Sequence, residues 1–362
     1  MDGYAVQHAD LHTSRPLKFR QVGQSLAGHP FTGSISHGQC VRIFTGAQVP
    51  AGADQVLLQE EVLLQEKIHD AQGDWVSFNN HQPPESYVRP IGHDICAGAP
   101  IVAENTHLNA FALGSLAAAG VNYIEVIKQP VVGVFSTGDE LVDPGVAPED
   151  LLPGQIYDSN RFTVLNLLAQ SPCELIDLGR LPDEQKAVEQ AFEAATQQCD
   201  VLITSGGVSV GDADFITSTI ATLGQLEFWR LNLKPGKPLA VGRIGNCHIF
   251  GLPGNPVSTI VTLLLVAKPA IWHLAGCSRP APLRIKAILD TQLSHSPGRA
   301  EYQRGCLVLA DGLLHVSSTG DQSSNRLRSF SGANCLVEID KDSENLAVGC
   351  DVNVIPFENL LN

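Results

Sequence analysis

Asp200-Val-Leu-Ile-Thr-Ser-Gly-Gly-Val-Ser-Val-Gly-Asp-Ala-Asp-Phe215 is the stretch on which the fold turns. Val201 to Thr204 reads as a strand buried on both faces. It runs into Ser205-Gly206-Gly207, and a helical pattern follows from Ile216 to Leu223. Strand, Gly-rich turn and helix in that order make half of a parallel α/β unit. Working outward, Val131 to Phe135 and Leu175 to Leu178 read as further buried strands, and His248 to Leu252 as another. Helical spacing fills the gaps over Arg161 to Gln170, Asp183 to Gln198 and Pro256 to His273. Asp158, Ser159 and Asn160 offer N-caps to the first of these helices. Such alternation predicts a parallel sheet with right-handed crossovers.

Beyond this centre the pattern changes. Residues 1–93 carry short β-type runs, such as Cys40 to Phe44 and Gln55 to Leu58, broken by Gly, Pro and His; they predict an irregular β-rich lobe. Thr106 to Gly120 has helical spacing through Leu108, Phe111, Ala112 and Leu116. After Pro280 the segments Leu283 to Leu289, Cys306 to Ala310, Leu313 to Ser317 and Val352 to Ile355 are strand-like, with Asp311-Gly312 as a hairpin signal. The expected fold is multidomain: an α/β domain at 130–276, flanked by β domains at 1–93 and 280–362 and a helical segment at 94–129.

Composition excludes several functions. The chain has 362 residues, 44% of them apolar and 17% charged, which is globular rather than disordered. Its net charge of −15, with no basic run to offset it, repels nucleic acid and anionic lipid. The longest apolar run, Ile260 to Trp272, is broken by Lys268 and Pro269 and reads as a buried helix rather than a membrane span. Met1-Asp-Gly-Tyr4 lacks the basic and apolar regions of a secretory signal. Nine cysteines without a C-x-x-C pair argue for reduced thiols in a cytoplasmic protein.

Chemistry concentrates around the opening stretch. Glycines at 206, 207 and 211 allow backbone N–H groups to face phosphate oxygens, and Ser205 and Ser209 add hydroxyls. The same residues would also serve a tight strand-to-helix turn; Asp212 and Asp214 beside them favour a phosphate site with Mg²⁺. In Gly251-Leu-Pro-Gly-Asn-Pro-Val-Ser258, Asn255 fits an N-cap and Pro256 the first helical position, which leaves both ordinary capping and anion binding open. Arg230, Lys234 and Lys237 gather three cations within eight residues of a chain with only 23 Lys and Arg, which fits an anion clamp or, as the alternative, a solvated strand end. Asp139, Glu140 and Asp183 fall at the carboxyl ends of the first two strands, where open α/β sheets bind ligands. The histidines form no Ser-His-Asp or H-E-x-x-H arrangement.

At these residues the sequence resembles the molybdopterin molybdenumtransferase family, related to the C-terminal domain of gephyrin. The matching stretches are Met1 to Val6, Ile43 to Gly46, Gly92 to Ile95, Ser136 to Leu141, Asp158 to Asn160, Ser205 to Asp214, Lys234 to Pro238, Gly251 to Ser258, Tyr302 to Gly305 and Ser323-Ser324. They span essentially the whole chain in the family's order. The resemblance implies transfer of molybdate to adenylyl-molybdopterin with release of AMP, in a cytoplasmic homodimer. Asp214 resembles the family's key carboxylate acting through Mg²⁺, with Glu140 as a second ligand and Asp183 as a further catalytic group. Lys234, Lys237, Pro238, Ser258, Arg304 and Ser324 resemble its molybdate-binding group. Ser205, Gly206, Gly207, Ser209, Asp158, Asp2, Thr45, Asp94 and Arg230 resemble the positions that hold the pterin substrate, some reaching it from the neighbouring subunit. Arg230 stands where the family often has Lys. The molybdopterin adenylyltransferase and apo-molybdoenzymes are implied partners.

In the family a helical segment precedes Met-Asp-Gly-Tyr. The helix at 106–120 is therefore expected to expose Leu108, Phe111 and Leu116, with a weakened dimer. Two other functions fit part of the pattern. One is a molybdopterin adenylyltransferase, which has a similar Ser-Gly-Gly loop but typically lacks the flanking β domains. The other is a non-catalytic molybdopterin-binding scaffold, against which Asp214, Lys234 and Arg304 argue.

Overall fold

The structure is a computed structural model that describes residues 1–12, 17–61, 68–70, 73–78, 87–208, 215–278 and 281–361. The chain forms two compact units, Met1–Ile101 and Val102–Asn362.

The first unit is built on a six-stranded sheet of β1 (Gly3–Val6), β2 (Leu17–Ser25), β3 (Gln39–Ile43), β4 (Gln55–Leu58), β5 (Ile68–Asp70) and β6 (Gly73–Phe78), in the order β4-β1-β3-β2-β6-β5. Tyr4, Val6, Leu17, Phe19, Cys40, Leu57, Val76 and Phe78 form its core. The sequence reading found β3 and β4 but not the longer β2. Its inward alternation of Leu17 and Phe19 is broken by a register shift between Gln21 and Gly23, which erases the two-residue period.

The second unit begins with α1 (Ala110–Ala118), which is shorter than the expected helix because Asn109 caps it. The Asn109 side chain accepts from the N–H groups of Phe111 and Ala112. No residue of α1 is buried. Phe111 is 85% exposed, while Leu108 and Leu116, expected to be exposed, are partly covered.

Then come β7 (Val131–Thr137), β8 (Leu141–Val142), β9 (Ile156–Tyr157), α2 (Asn160–Leu168), β10 (Glu174–Leu181), α3 (Gln185–Ala195), β11 (Val201–Ser205), α4 (Phe215–Leu223), β12 (Gln225–Arg230), β13 (Leu233–Lys234), β14 (Pro238–Ile244), β15 (Cys247–Leu252), α5 (Pro256–Thr262) and α6 (Lys268–Leu274). The central sheet has the order β10-β7-β11-β15-β14-β12. Its first four strands are parallel, as expected. The last two are antiparallel, so the sheet is mixed. The cause is local: Gly245, with φ of +58°, and Asn246 make a two-residue hairpin that returns the chain from β14 into β15. Cores lie on both faces, one around Phe135, Phe192, Leu202 and Ile216, the other around Val134, Leu168, Ile203 and Leu263.

Pro256–Leu274 is one helix, long and apolar enough to cross a membrane, yet most of it is buried inside this unit. A wider π turn over Leu263–Ala267 precedes Pro269, which has no N–H to donate to the turn before it.

The chain ends in β16 (Ile285–Leu289), β17 (Ala300–Ala310), β18 (Leu313–Ser318), β19 (Cys335–Ile339), β20 (Asp351–Pro356) and α7 (Glu358–Leu361). The order β17-β18-β16-β20-β19, with β19 pairing back onto β17, closes this sheet on itself. Asp311-Gly312 forms the expected hairpin, both residues having positive φ. The short β13 pairs in parallel with β17, so the cation-bearing turn of the α/β domain joins the C-terminal sheet.

Candidate functional site

The carboxyl ends of β7, β11 and β15 lie side by side, Ser205 pairing with both Ser136 and Leu252. The loops that follow touch: Gly206 N–H donates to the Leu252 carbonyl at 3.1 Å, and Gly254 packs on Gly206. Gly206 has φ of +95°, and a Cβ there would stand 2.6 Å from the Thr137 carbonyl oxygen, so only glycine lets this backbone approach. Asn160 donates its side-chain amide to the Gly254 carbonyl at 2.7 Å, bringing the start of α2 to the same edge. Ser136, Thr204 and Ser205 each bury a hydroxyl with no hydrogen-bond partner among the described residues. Unpaired buried hydroxyls are costly; Ser136 and Ser205 pair across β7 and β11 and share one face of the sheet, where a polar group would satisfy them, whereas Thr204 faces the other side.

The expected carboxylates divide. Asp139 accepts the Asp183 N–H at 3.2 Å, placing both after the parallel strands. Glu140 folds back over Gly138. Among the described residues no three His, Cys, Asp or Glu side chains converge to hold a metal. Asp214 and Ser209, with Gly211 and Asp212, lie outside the described residues.

Asp158 is buried, and both its oxygens serve Arg161: one accepts the Arg161 N–H at 3.1 Å, the other the guanidinium Nε at 3.2 Å. Arg161 also donates to Asp177 at 2.6 Å and to Asp143. Asp158 thus caps and anchors α2 here, rather than pointing its carboxylate at a ligand.

Lys234, Gly236, Ser258, Arg304 and Ser324 are brought together around the start of α5. Gly236 packs against Thr262 and the Ser258 carbonyl, and Val257 N–H donates to the Ser324 carbonyl at 3.0 Å. Arg304 is 1% exposed. Its Nε donates to Ser329, and its Nη2 donates to the carbonyls of Asp321 and Ser323, next to Ser324. Burial lowers its pKa to about 10, against the favourable fields of Asp321 and Glu301. Ser258 is buried, Lys237 is exposed and Pro238 opens β14. Arg230 is exposed opposite Pro238 on β12.

Two groups here were not singled out in the sequence. Glu301, 4% exposed at its side chain, accepts from Lys234 Nζ at 3.1 Å, and the same oxygen lies 2.7 Å from Nδ1 of the buried His295. The signal was present: Glu301 and Gln303 sit two apart on β17, both facing inward among apolar neighbours, a placement that polar residues rarely take without partners.

In the first unit, Asp2 accepts from the N–H of Thr45 at 2.8 Å and from its hydroxyl at 2.9 Å. These bonds hold the Asp2 carboxyl below the usual range. Asp94 lies exposed in a turn of the same unit.

Three family profiles match the chain in sequence order. They are the MoeA N-terminal region (domain I and II) over residues 1–120, a probable molybdopterin binding domain over 133–273, and the MoeA C-terminal region (domain IV) over 286–357. Molybdopterin molybdenumtransferase of Haemophilus influenzae is 40% identical over 363 residues, covering 100% of this chain and 87% of that protein. Gephyrin of Dictyostelium discoideum is 31% identical over 98% of this chain and 55% of its own length. The molybdopterin biosynthesis MoeA protein from Pyrococcus horikoshii superposes with a TM-score of 0.78 at 29% identity, covering 99% of this chain and 86% of that one.

Proposed function

This chain belongs to the molybdopterin molybdenumtransferase family, and from that premise we propose that it transfers molybdate to adenylyl-molybdopterin, releasing AMP and leaving molybdenum cofactor. One observation supports the reading: the unpaired buried hydroxyls of Ser136 and Ser205, on one face of the sheet beside the Gly206-Gly207 turn. They are the donors a phosphate-bearing pterin would engage.

We propose the roles as follows. Ser205, Gly206, Gly207 and Ser209, with Arg230, hold the substrate's phosphates. Lys234, Lys237, Ser258 and Ser324 bind molybdate at the junction of β13 and β17, with Pro238 shaping the turn and Arg304 fixing the carbonyls beside Ser324. Asp214 is the principal carboxylate, assisted by Glu140 and Asp183. Asp2, Thr45 and Asp94 are further substrate-binding positions, and the chain forms a homodimer, which sedimentation velocity would register. Asp158 acts here through Arg161.

Among the described residues no three His, Cys, Asp or Glu side chains converge on one point. We propose Mg²⁺ on the hard oxygen donors of Asp214 and Glu140, where it would neutralise charge on the phosphoanhydride. Chelation should abolish AMP release, and added Mg²⁺ should restore it.

We further propose the domain division 1–93, 94–129, 130–276 and 280–362, a cytoplasmic location, and the molybdopterin adenylyltransferase and apo-molybdoenzymes as partners. Crystals soaked in tungstate test the anion site. Density against Lys234, Lys237, Ser258 and Ser324 supports it, and density elsewhere with these groups free contradicts it.

A further inference from the structure

Lys234, Glu301 and His295 form a chain of charge that runs from the surface inward. The half-exposed Lys234 ammonium donates to Oε2 of Glu301 at 3.1 Å, and His295 Nδ1 meets that same oxygen at 2.7 Å. Lys234 and Glu301 are also partners in the ladder joining β13 to β17, so the contact is fixed by backbone register as well as by charge. His295 is held from behind: its N–H donates to the Asn345 side chain at 2.8 Å, and the neighbouring Ser294 carbonyl accepts from Gln303 at 2.9 Å. The His295 side chain is fully buried, and its Nε2 has no partner among the described residues.

A hydrogen on Nδ1 would serve the Glu301 carboxylate and leave the buried Nε2 as an acceptor, where an added proton would cost desolvation. A tetrahedral dianion arriving at Lys234 changes the balance. It places two negative charges against an ammonium already shared with a buried carboxylate, in a medium where such charges interact strongly. The charged groups set against the pair are Lys234 from β13 and, on β17, Arg304, whose guanidinium feels Glu301 and is in turn balanced by Asp321. Neither cation can gain charge. His295 can.

We propose that His295 and Glu301 form a buried proton-accepting unit behind Lys234, which takes up one proton from solvent, on His295 Nε2, when an oxyanion binds Lys234. The inference rests on the reading of Lys234 as a molybdate ligand and adds that molybdate binding is linked to protonation. His295 and Glu301 act through Lys234 and are positioning residues. By linkage, an anion that raises proton occupancy of the bound state binds more tightly as pH falls. Molybdate affinity should therefore weaken as pH rises, by up to about tenfold per pH unit for one linked proton.

The test is calorimetric titration of the full chain with sodium molybdate in buffers of different ionisation enthalpy. The expected result is net uptake of a proton by the unaltered chain. His295→Asn keeps a side-chain N–H for Glu301 but cannot be protonated, so it should still bind molybdate with the uptake and pH slope gone. Uptake unchanged in His295→Asn, or none in the unaltered chain, overturns the proposal while leaving the site itself standing. If Lys234→Gln binds molybdate as the unaltered chain does, the site reading fails instead, and this inference with it. Should His295→Asn not fold, the ring nitrogen resonances of His295 in the unaltered chain decide: Nε2 gains a proton on molybdate addition, or the proposal is wrong.

Discussion

Lys234 faces Glu301 twice over: the two are partners in the parallel pairing of β13 with β17, and their side chains form an ion pair at 3.1 Å. The lysine proposed to bind the anion is thereby tied to the C-terminal sheet rather than left on a free turn. Because the ammonium is only half exposed, its contact with an oxyanion is charge-assisted and partly shielded from water. Lys234→Met should weaken molybdate binding by about 1.5–3 kcal/mol, read as a rise in the molybdate dissociation constant. Affinity within a factor of two of the unaltered chain would remove Lys234 from the site.

Asp214 carries the strongest claim on the reaction itself. Asp214→Asn preserves size and loses charge, so the fold should survive while AMP release slows by ~10²-fold or more. Single-turnover rates of the two forms compare them directly, and near-normal turnover would exclude the carboxylate.

Arg161 anchors α2 through three carboxylates, of which Asp158 is almost completely buried. Removing the guanidinium strands that buried charge. Arg161→Met is expected to cost about 3–5 kcal/mol in urea unfolding, and Asp158→Asn combined with it should recover part of the loss. Additive losses in the double variant would show that the pair is not coupled.

Glu338 supplies a pH signature of stability. Bidentate donation from Arg284, at 2.7 and 3.0 Å, together with Tyr302 at 2.9 Å, holds its carboxyl below the usual 4.5. A lowered folded-state pKa contributes stability that is present above the unfolded value and is lost as pH falls through the folded one. Thermal unfolding should thus show a loss of stability below about pH 4.5. Glu338→Gln should be less stable near neutrality and flatter through the acid range. An unchanged acid slope would assign that sensitivity to other carboxylates.

The sequence disclosed the centre of this molecule more readily than its edges. Val131, Val201 and His248 mark parallel strands because continuous apolar runs are what burial on both faces demands, and the Gly206-Gly207 turn follows from the need for positive φ. The antiparallel strands β14 and β12 were not read: the turn of β14 into β15 rests on the two residues Gly245-Asn246, and β12 joins β14 through the cation-bearing turn at 231–237. Site residues divided in the same way. Lys234 was legible as charge and Ser258 as part of the first turn of a helix, and the structure sets Gly236, two residues after Lys234, near the Ser258 carbonyl. Arg304 was legible as a cation, but not the closed sheet that buries it. Asp158 read as an N-cap and, by resemblance, as a substrate position; its oxygen does accept the Arg161 N–H, but nothing in a linear sequence shows that the Arg161 guanidinium also folds back onto it. Glu301 and His295 were missed because their meaning is a shared oxygen, and their partner Lys234 lies on a different sheet segment.

The central claim, that this chain inserts molybdenum with loss of AMP, is tested most directly by incubating the full chain with adenylyl-molybdopterin and Mg²⁺ and measuring AMP with and without molybdate. The account predicts release of one AMP per substrate consumed, accelerated by molybdate and accompanied by a product that activates an apo-molybdoenzyme. Substrate that is bound but left intact, or AMP release indifferent to molybdate, would contradict it.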